Sequence, residues 1–259
     1  MPPSPDLTFD LSDRVAVITG GSRGLGREMA LAFADHGATV VVASRKVEAC
    51  VSLAADITAK TGRPALGVGC HVGRWEDCDE LVRQVVDAYG RIDVLVNNAG
   101  MSPLYPSLDA VTEDLFDKVI DVNLKGAFRL MALVGTRMAQ GGGGSIVNVS
   151  SIAAVQPGVG ELPYAVAKAG LNAATLGMAR AFAPTVRVNA IMPGPFLTDI
   201  SKAWDLPAFE QMAARTIPLG RAGAPPEIVG AALYLASGAS SYTTGAVIKV
   251  DGGSAWAPG

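Results

Sequence analysis

A short β-branched run, Arg14–Thr19, passes directly into Gly20-Gly21-Ser22-Arg23-Gly24-Leu25-Gly26, and an amphipathic stretch, Arg27–His36, follows. A strand that turns into a helix within seven residues leaves the chain few architectures. The helix must pack back onto the sheet that holds the strand, and the next strand must then lie parallel to the first. The rest of the chain repeats the pattern. Further strand candidates are Thr39–Ala43, Ala65–Cys70, Val94–Val96, Ser145–Val149, Val186–Ile191 and Val247–Val250. Helical periodicity separates them at Val47–Thr61, Trp75–Tyr89, Glu113–Gln140 and Tyr164–Phe182. The strands read as continuous apolar runs, as expected when both faces of a sheet are covered. These features predict one α/β domain, a doubly wound parallel sheet of about seven strands with helices on both faces. The domain should run over residues 11–259, after a flexible segment at 1–10. The proline-interrupted stretch at about 194–220 breaks the alternation, and an excursion beyond a strand's carboxyl end commonly closes over a ligand.

The glycine turn carries chemistry as well as geometry. Gly20 permits the tight turn, Gly24 lets backbone approach a pyrophosphate, and Gly26 lets the helix pack closely on the strand. A helix N-terminus then offers free N–H groups and a positive dipole end to an anion. Such a turn by itself is more often structural, but here it stands between an apolar strand and a helix, which points to a nucleotide.

A second constellation lies in Tyr164-Ala165-Val166-Ala167-Lys168, with Ser151 upstream. Positions i and i+4 share one helix face, so an ammonium sits one turn from a phenol. A cation there is expected to draw the phenol's pKa toward the range of a working acid or base. Ser151, at a strand end, could hold a carbonyl or alcohol oxygen. Each residue also has a plain reading: an exposed helix pair, or a cap.

The Gly-x-x-x-Gly-x-Gly spacing, Asn97-Asn98-Ala99-Gly100 and Tyr164-x-x-x-Lys168 together resemble the short-chain dehydrogenase/reductase family. Asn123 in Val122-Asn123-Leu124, Ser151 in Asn148-Val149-Ser150-Ser151, Pro193-Gly194 and Val250-Asp251-Gly252-Gly253 extend the likeness over roughly residues 10–253. The resemblance implies a Rossmann-like fold and hydride exchange between a nicotinamide and a carbonyl or secondary alcohol. It implies that Tyr164 moves the proton, that Lys168 tunes it and reaches the nicotinamide ribose, and that Ser151 holds the substrate oxygen. It further implies that Asn123 sits at a local helix distortion and holds a water linking the lysine to solvent. Asn98, Ala99 and Gly100 would form a small-residue platform near the riboses. Pro193, Gly194 and Phe196 would flank the nicotinamide, with Thr198 near the phosphates; Ser22 and Leu25 belong to the phosphate loop.

Cofactor choice turns on the end of the second strand. An NAD enzyme places a carboxylate there for the ribose hydroxyls. This chain has Ser44 followed by Arg45, with Arg23 in the glycine loop, and guanidinium groups suit a 2′-phosphate. NADP(H) is therefore expected, with NAD(H) possible; the two arginines could equally be solvated charges. One departure is Cys70-His71-Val72, where the family often has an aspartate facing adenine. A neutral His71 could accept a hydrogen bond in its place.

Other classes fit poorly. The net charge of −3 and the absence of a basic stripe argue against nucleic acid. No apolar run reaches spanning length, and the start lacks a secretory pattern, so a cytoplasmic protein is expected. Cys50, Cys70 and Cys78 read as reduced thiols, with too few ligands beside them for a metal. Substrate choice is expected to lie in Val155–Pro163 and in the lid, where Trp204, Leu206, Phe209, Met212 and Ile217 suggest a partly apolar cover. Glu161, Asp199 and Lys202 could meet polar groups. Leu130, Met131, Leu133, Val134, Met138, Leu171, Leu176, Met178 and Phe182 exceed one sheet-facing stripe, which suggests a dimer or tetramer, or thicker packing within one subunit. A scaffold that senses the nucleotide without turnover is the alternative of a different class.

Overall fold

The computed structural model describes residues 8–198, 201 and 205–255. The first seven residues and the lid positions Asp199, Lys202 and Trp204 lie outside the described residues. Seven strands form one sheet: β1 (Val15–Thr19), β2 (Thr39–Ser44), β3 (Ala65–Gly69), β4 (Val94–Asn97), β5 (Gly144–Val149), β6 (Val186–Pro193) and β7 (Val247–Val250). Their order is β3-β2-β1-β4-β5-β6-β7, and every neighbouring pair is parallel.

The apolar runs serve two cores at once. In β2, Val40 and Val42 enter one core while Val41 and Ala43 enter the other, because successive side chains leave opposite faces of a strand. Helices α1 (Gly24–Asp35) and α2 (Val47–Thr61) supply Met29, Phe33, Leu53 and Ile57 to the first core. Helices α3 (Trp75–Tyr89), α5 (Gly126–Gln140) and α6 (Leu162–Ala181) supply Leu81, Leu130, Met131 and Leu171 to the second. Strand order reverses between β1 and β4, so the loops leaving their carboxyl ends diverge to opposite faces. That divergence opens a crevice, the usual ligand position in such sheets.

Three local features differ from the expected pattern. The single helix expected over Glu113–Gln140 is two helices, α4 (Glu113–Ile120) and α5, joined by a π-helical turn at Asp121–Lys125. At that turn the Asn123 Nδ2 donates to the Val119 carbonyl one turn back, 2.9 Å away. The side chain thus competes with the regular backbone ladder, and the turn widens. Immediately after it, Gly126 lies so close to Val72 that a methyl group would overlap the Val72 carbonyl. Helix α7 (Leu206–Thr216) stands within the lid; Asp205 Oδ1 caps it by accepting from Ala208 N at 3.1 Å, and a proline occupies its first turn. Helix α8 (Val229–Ala236) follows a Pro225–Ile228 turn and packs Leu233 and Leu235 into the first core.

The surplus apolar residues divide. Leu130, Met131, Val134, Met138 and Leu171 are buried within the subunit, so thicker internal packing accounts for them. Leu176 is exposed, as are Phe116, Phe128 and Val166 on α4, α5 and α6. Among the described residues, no helix is long and apolar enough to cross a membrane.

Candidate active site

The glycine loop is built for close approach. Gly20 and Gly24 take positive φ, 63° and 54°, which other residues adopt only under strain. A Cβ at Gly26 would overlap the Gly20 carbonyl and the Asn98 amide. Asn98 holds the loop from the far side of the crevice: its Nδ2 donates to the carbonyls of Thr19 and Gly20 at 2.9 and 3.2 Å. The Thr19 hydroxyl in turn accepts from the backbone N–H groups of Asn98 and Ala99, at 3.0 and 3.2 Å. Asn98 is therefore a brace between β1 and the loop that follows β4.

Helix α1 has no capping side chain and no acidic residue in its first turn, so its first N–H groups are open to an anion. Leu25 packs partly against the first core. Thr198 stands over the loop, 3.7 Å from where a Gly24 Cβ would be. At the loop's edge the Ser22 hydroxyl donates to Ser44 Oγ at 3.0 Å, which draws the loop to the end of β2. Arg23 and Arg45, each next in sequence, flank that corner, exposed and unpaired with any carboxylate among the described residues. These features fit a dinucleotide: an open helix terminus, a side-chain-free cradle, and cations where an acidic group would repel a 2′-phosphate.

On the side expected to meet adenine, His71 is engaged by its own turn. The His71 Nδ1 accepts from Gly73 N at 3.2 Å, and His71 N donates to Asp77 Oδ2 at 2.9 Å. In the neutral ring the remaining nitrogen, Nε2, then carries the proton. That nitrogen is a donor in this arrangement. Val72 beside it is buried, its carbonyl accepting from the Cys78 thiol at 3.3 Å. Phe196, expected beside the nicotinamide, follows the end of β6 and packs inward. Its ring is buried in the first core and leaves no room for a side chain at Gly223. Pro193 ends β6, and Gly194 lies against Asp251, where a Cβ would approach the Asp251 Cα to 2.8 Å.

Helix α6 brings Tyr164 and Lys168 to one face, with the ammonium nitrogen 5.6 Å from the phenol ring centroid. Lys168 is buried and donates to the Val149 carbonyl at 2.7 Å. Burial pushes its pKa down to about 8. Tyr164 moves the other way: burial pushes its phenol up to about 12, the Ser151 hydroxyl opposes this, and the Glu161 charge adds to it. Desolvation of the phenolate, rather than the expected lowering by Lys168, governs Tyr164 here.

Ser151 caps the Ile152–Ala154 turn just beyond β5, accepting from Ala153 N at 3.1 Å. Acceptance leaves its O–H free to donate. Asn123 binds the backbone of Met101 in both directions, Nδ2 to the carbonyl at 2.8 Å and Oδ1 from the N–H at 3.1 Å. That clasp fixes the Gly100 turn, where a Cβ would come within 2.9 Å of Asn123 Oδ1 and 3.7 Å of Lys168 Nζ.

One contributor was not foreseen from sequence. Tyr105, from the segment after β4, donates its hydroxyl to the Val159 carbonyl at 2.6 Å and accepts from Leu162 N at 2.9 Å. It thereby satisfies an open N–H at the start of α6, a task usually left to a capping residue. No local pattern announces such a bond, since its partners are more than fifty residues away.

Comparison with known proteins agrees with this geometry. A family model described as enoyl-(acyl carrier protein) reductase matches residues 20–255. The L-rhamnose 1-dehydrogenase (NAD(P)(+)) of Azotobacter vinelandii is 39% identical over 251 residues, covering 94% of this chain and 97% of that one. The 3-oxoacyl-[acyl-carrier-protein] reductase of Thermotoga maritima is 40% identical, covering 94% and 98%. Among solved structures, the L-sorbose reductase of Gluconobacter frateurii, complexed with NADPH and L-sorbose, superposes with a TM-score of 0.90 at 30% identity, covering 96% and 99%. With a seven-stranded parallel sheet, a glycine cradle, and tyrosine, lysine and serine gathered at the crevice, this chain belongs to the short-chain dehydrogenase/reductase family, oxidoreductases of CH–OH or carbonyl groups.

Proposed function

We propose that this protein is an NADP(H)-dependent oxidoreductase that interconverts a carbonyl and a secondary alcohol, with Tyr164 as the proton-transferring group. The observation that carries the reading is the single face of α6 on which a buried ammonium lies 5.6 Å from the Tyr164 ring, beside a serine hydroxyl free to donate. The nicotinamide, when bound, supplies or accepts hydride. Gly20, Ser22, Gly24, Gly26 and Thr198 would hold its phosphates, and Asn98, Ala99 and Gly100 would lie along its riboses.

The chain's own residues do the rest. A phenol held up to about 12 is protonated at neutral pH, which suits a donor to a carbonyl oxygen. Ser151 donates to the same oxygen, orienting it and stabilising charge that develops there. Lys168 keeps a positive charge beneath the site, and Asn123 holds the Gly100–Met101 turn against it. Incubation with NADPH and a panel of ketones, β-ketoesters and sugar acids, followed at the reduced-nicotinamide absorbance, tests the reading. Turnover of none would favour a nucleotide-sensing scaffold.

The preference for NADP(H) rests on Arg23 and Arg45 beside the Ser22–Ser44 bond, and it accords with the NADPH of the sorbose reductase complex. Arg45→Ala should raise the KM for NADPH by about tenfold or more, the scale of a charge-assisted hydrogen bond, and leave that for NADH nearly unchanged. Equal effects on both cofactors would reject the assignment. Exposed Phe116, Phe128, Val166 and Leu176 support association with a second copy. Sedimentation should give a dimer or tetramer at micromolar concentration; a monomer would reject it.

A further inference from the structure

The turn just ahead of the catalytic helix carries a carboxylate without a partner. Glu161 is the N-cap residue of α6, yet its side chain caps nothing. Among the described residues its carboxylate makes no hydrogen bond and no ion pair, although the residue is half-buried. Withdrawing a carboxylate from water without a donor to replace the lost hydration is unfavourable. Burial accordingly pushes the acid above its ordinary range. Glu161 stands at the head of the helix that carries Tyr164, three positions before it, a spacing that puts two side chains on neighbouring parts of one turn, and its carboxylate lies over Gly158, 3.4 Å from where a Cβ would be.

Its position is fixed rather than incidental. The two Tyr105 hydroxyl bonds, to the Val159 carbonyl at 2.6 Å and from Leu162 N at 2.9 Å, bracket Glu161 on both sides. Glu161 N itself donates to the Gly158 carbonyl at 3.2 Å. The turn is thus stapled to the segment that follows β4 and carries Asn98–Gly100. A partly desolvated acceptor on a fixed turn, three positions from Tyr164, is what recognition of a donor-bearing ligand requires.

We infer that Glu161 selects the substrate by accepting a hydrogen bond from a hydroxyl beside the reacting carbon, so that hydroxylated ketones and their vicinal diols, the chemistry of sugars and polyols, are the preferred class. This rests on the oxidoreductase reading above. A hydroxyl supplies the donor the carboxylate lacks. A plain alkyl group leaves it unpaired, and a keto acid brings a like charge against it. Leu104 and Val159, exposed at 86% and 79% beside the same turn, would instead suit an acyl chain, so a thioester belongs in the test.

The test compares wild type, Glu161→Gln and Glu161→Leu on 1-hydroxy-2-butanone, 2-butanone, 2-oxobutanoate and a 3-oxobutanoyl thioester, with the cofactor dissociation constant measured in parallel. Wild type should favour the hydroxyketone over 2-butanone by about tenfold to a hundredfold in kcat/KM, the range of a hydrogen bond to a charged acceptor. The ratio should approach one in Glu161→Leu and lie between in Glu161→Gln, with cofactor affinity unchanged in all three. A ratio that survives in both variants, or a wild-type preference for the keto acid or thioester, overturns the inference alone. No turnover of any carbonyl overturns the oxidoreductase reading and this inference with it.

Discussion

Tyr164→Phe should lower kcat by about a thousandfold, within the range spanned by positioned proton donors, while the dissociation constant for NADPH stays nearly the same. The substitution removes one oxygen and leaves the ring, which is half-buried against α6 and its surroundings. Packing is therefore kept, and the loss falls on the transition state, where the proton moves. Single-turnover hydride transfer, measured at saturating cofactor, is the direct readout. Near-normal turnover would remove the phenol from the mechanism. A parallel loss of cofactor affinity would recast Tyr164 as a binding group.

Lys168→Met should change how stability depends on pH. The lysine's folded pKa lies at about 8, below its ordinary 10.5, because burial disfavours the ammonium. Between those values the unfolded chain holds a proton that the folded protein has released. Unfolding free energy therefore rises with pH across that window, and wild type should gain about 3 kcal/mol there. The methionine variant has no such proton. The variant's stability minus that of wild type should therefore fall by about 3 kcal/mol between pH 7.5 and 10.5, read by chemical denaturation at each pH. Tyr164 acts in the opposite sense, since its folded pKa of about 12 exceeds its ordinary 10, but its stabilisation is lost only above pH 10. A difference that does not move between pH 8 and 10 would show that the buried ammonium is not desolvated as its surroundings imply. The same variant should also lose most of its kcat.

The sheet was legible because its cause is local. An apolar run bounded by turn residues must be a buried strand when helices alternate with it, and all seven strands lie within three residues of the expected bounds. The glycine loop and the Tyr164–Lys168 face were legible for the same reason: a spacing of three or four positions fixes neighbours on a helix whatever the rest of the chain does. The π-helical turn at Asp121–Lys125 was not readable from periodicity, which carries through it with little interruption. Helix α8 was missed because an all-round apolar stretch of eight residues looks alike as strand or helix.

The surroundings of Phe196 and His71 were not legible in the sequence: Phe196 packs against Gly223, twenty-seven positions on, and the His71 ring is held by Gly73 N, contacts that only the folded chain makes. The Tyr105 staple and the unpaired Glu161 likewise exist only once β4 and β5 lie side by side and bring their following loops together.

The order of residues, through side-chain periodicity and the small glycines, settled the architecture, the glycine cradle at the head of α1 and the pairing of Tyr164 with Lys168 on one helix face. Folding in three dimensions decided the environment of that pair. Whether a phenol is acidified by its neighbouring ammonium or held protonated by burial depends on how much water remains around it, and that is a property of packed neighbours drawn from distant parts of the chain.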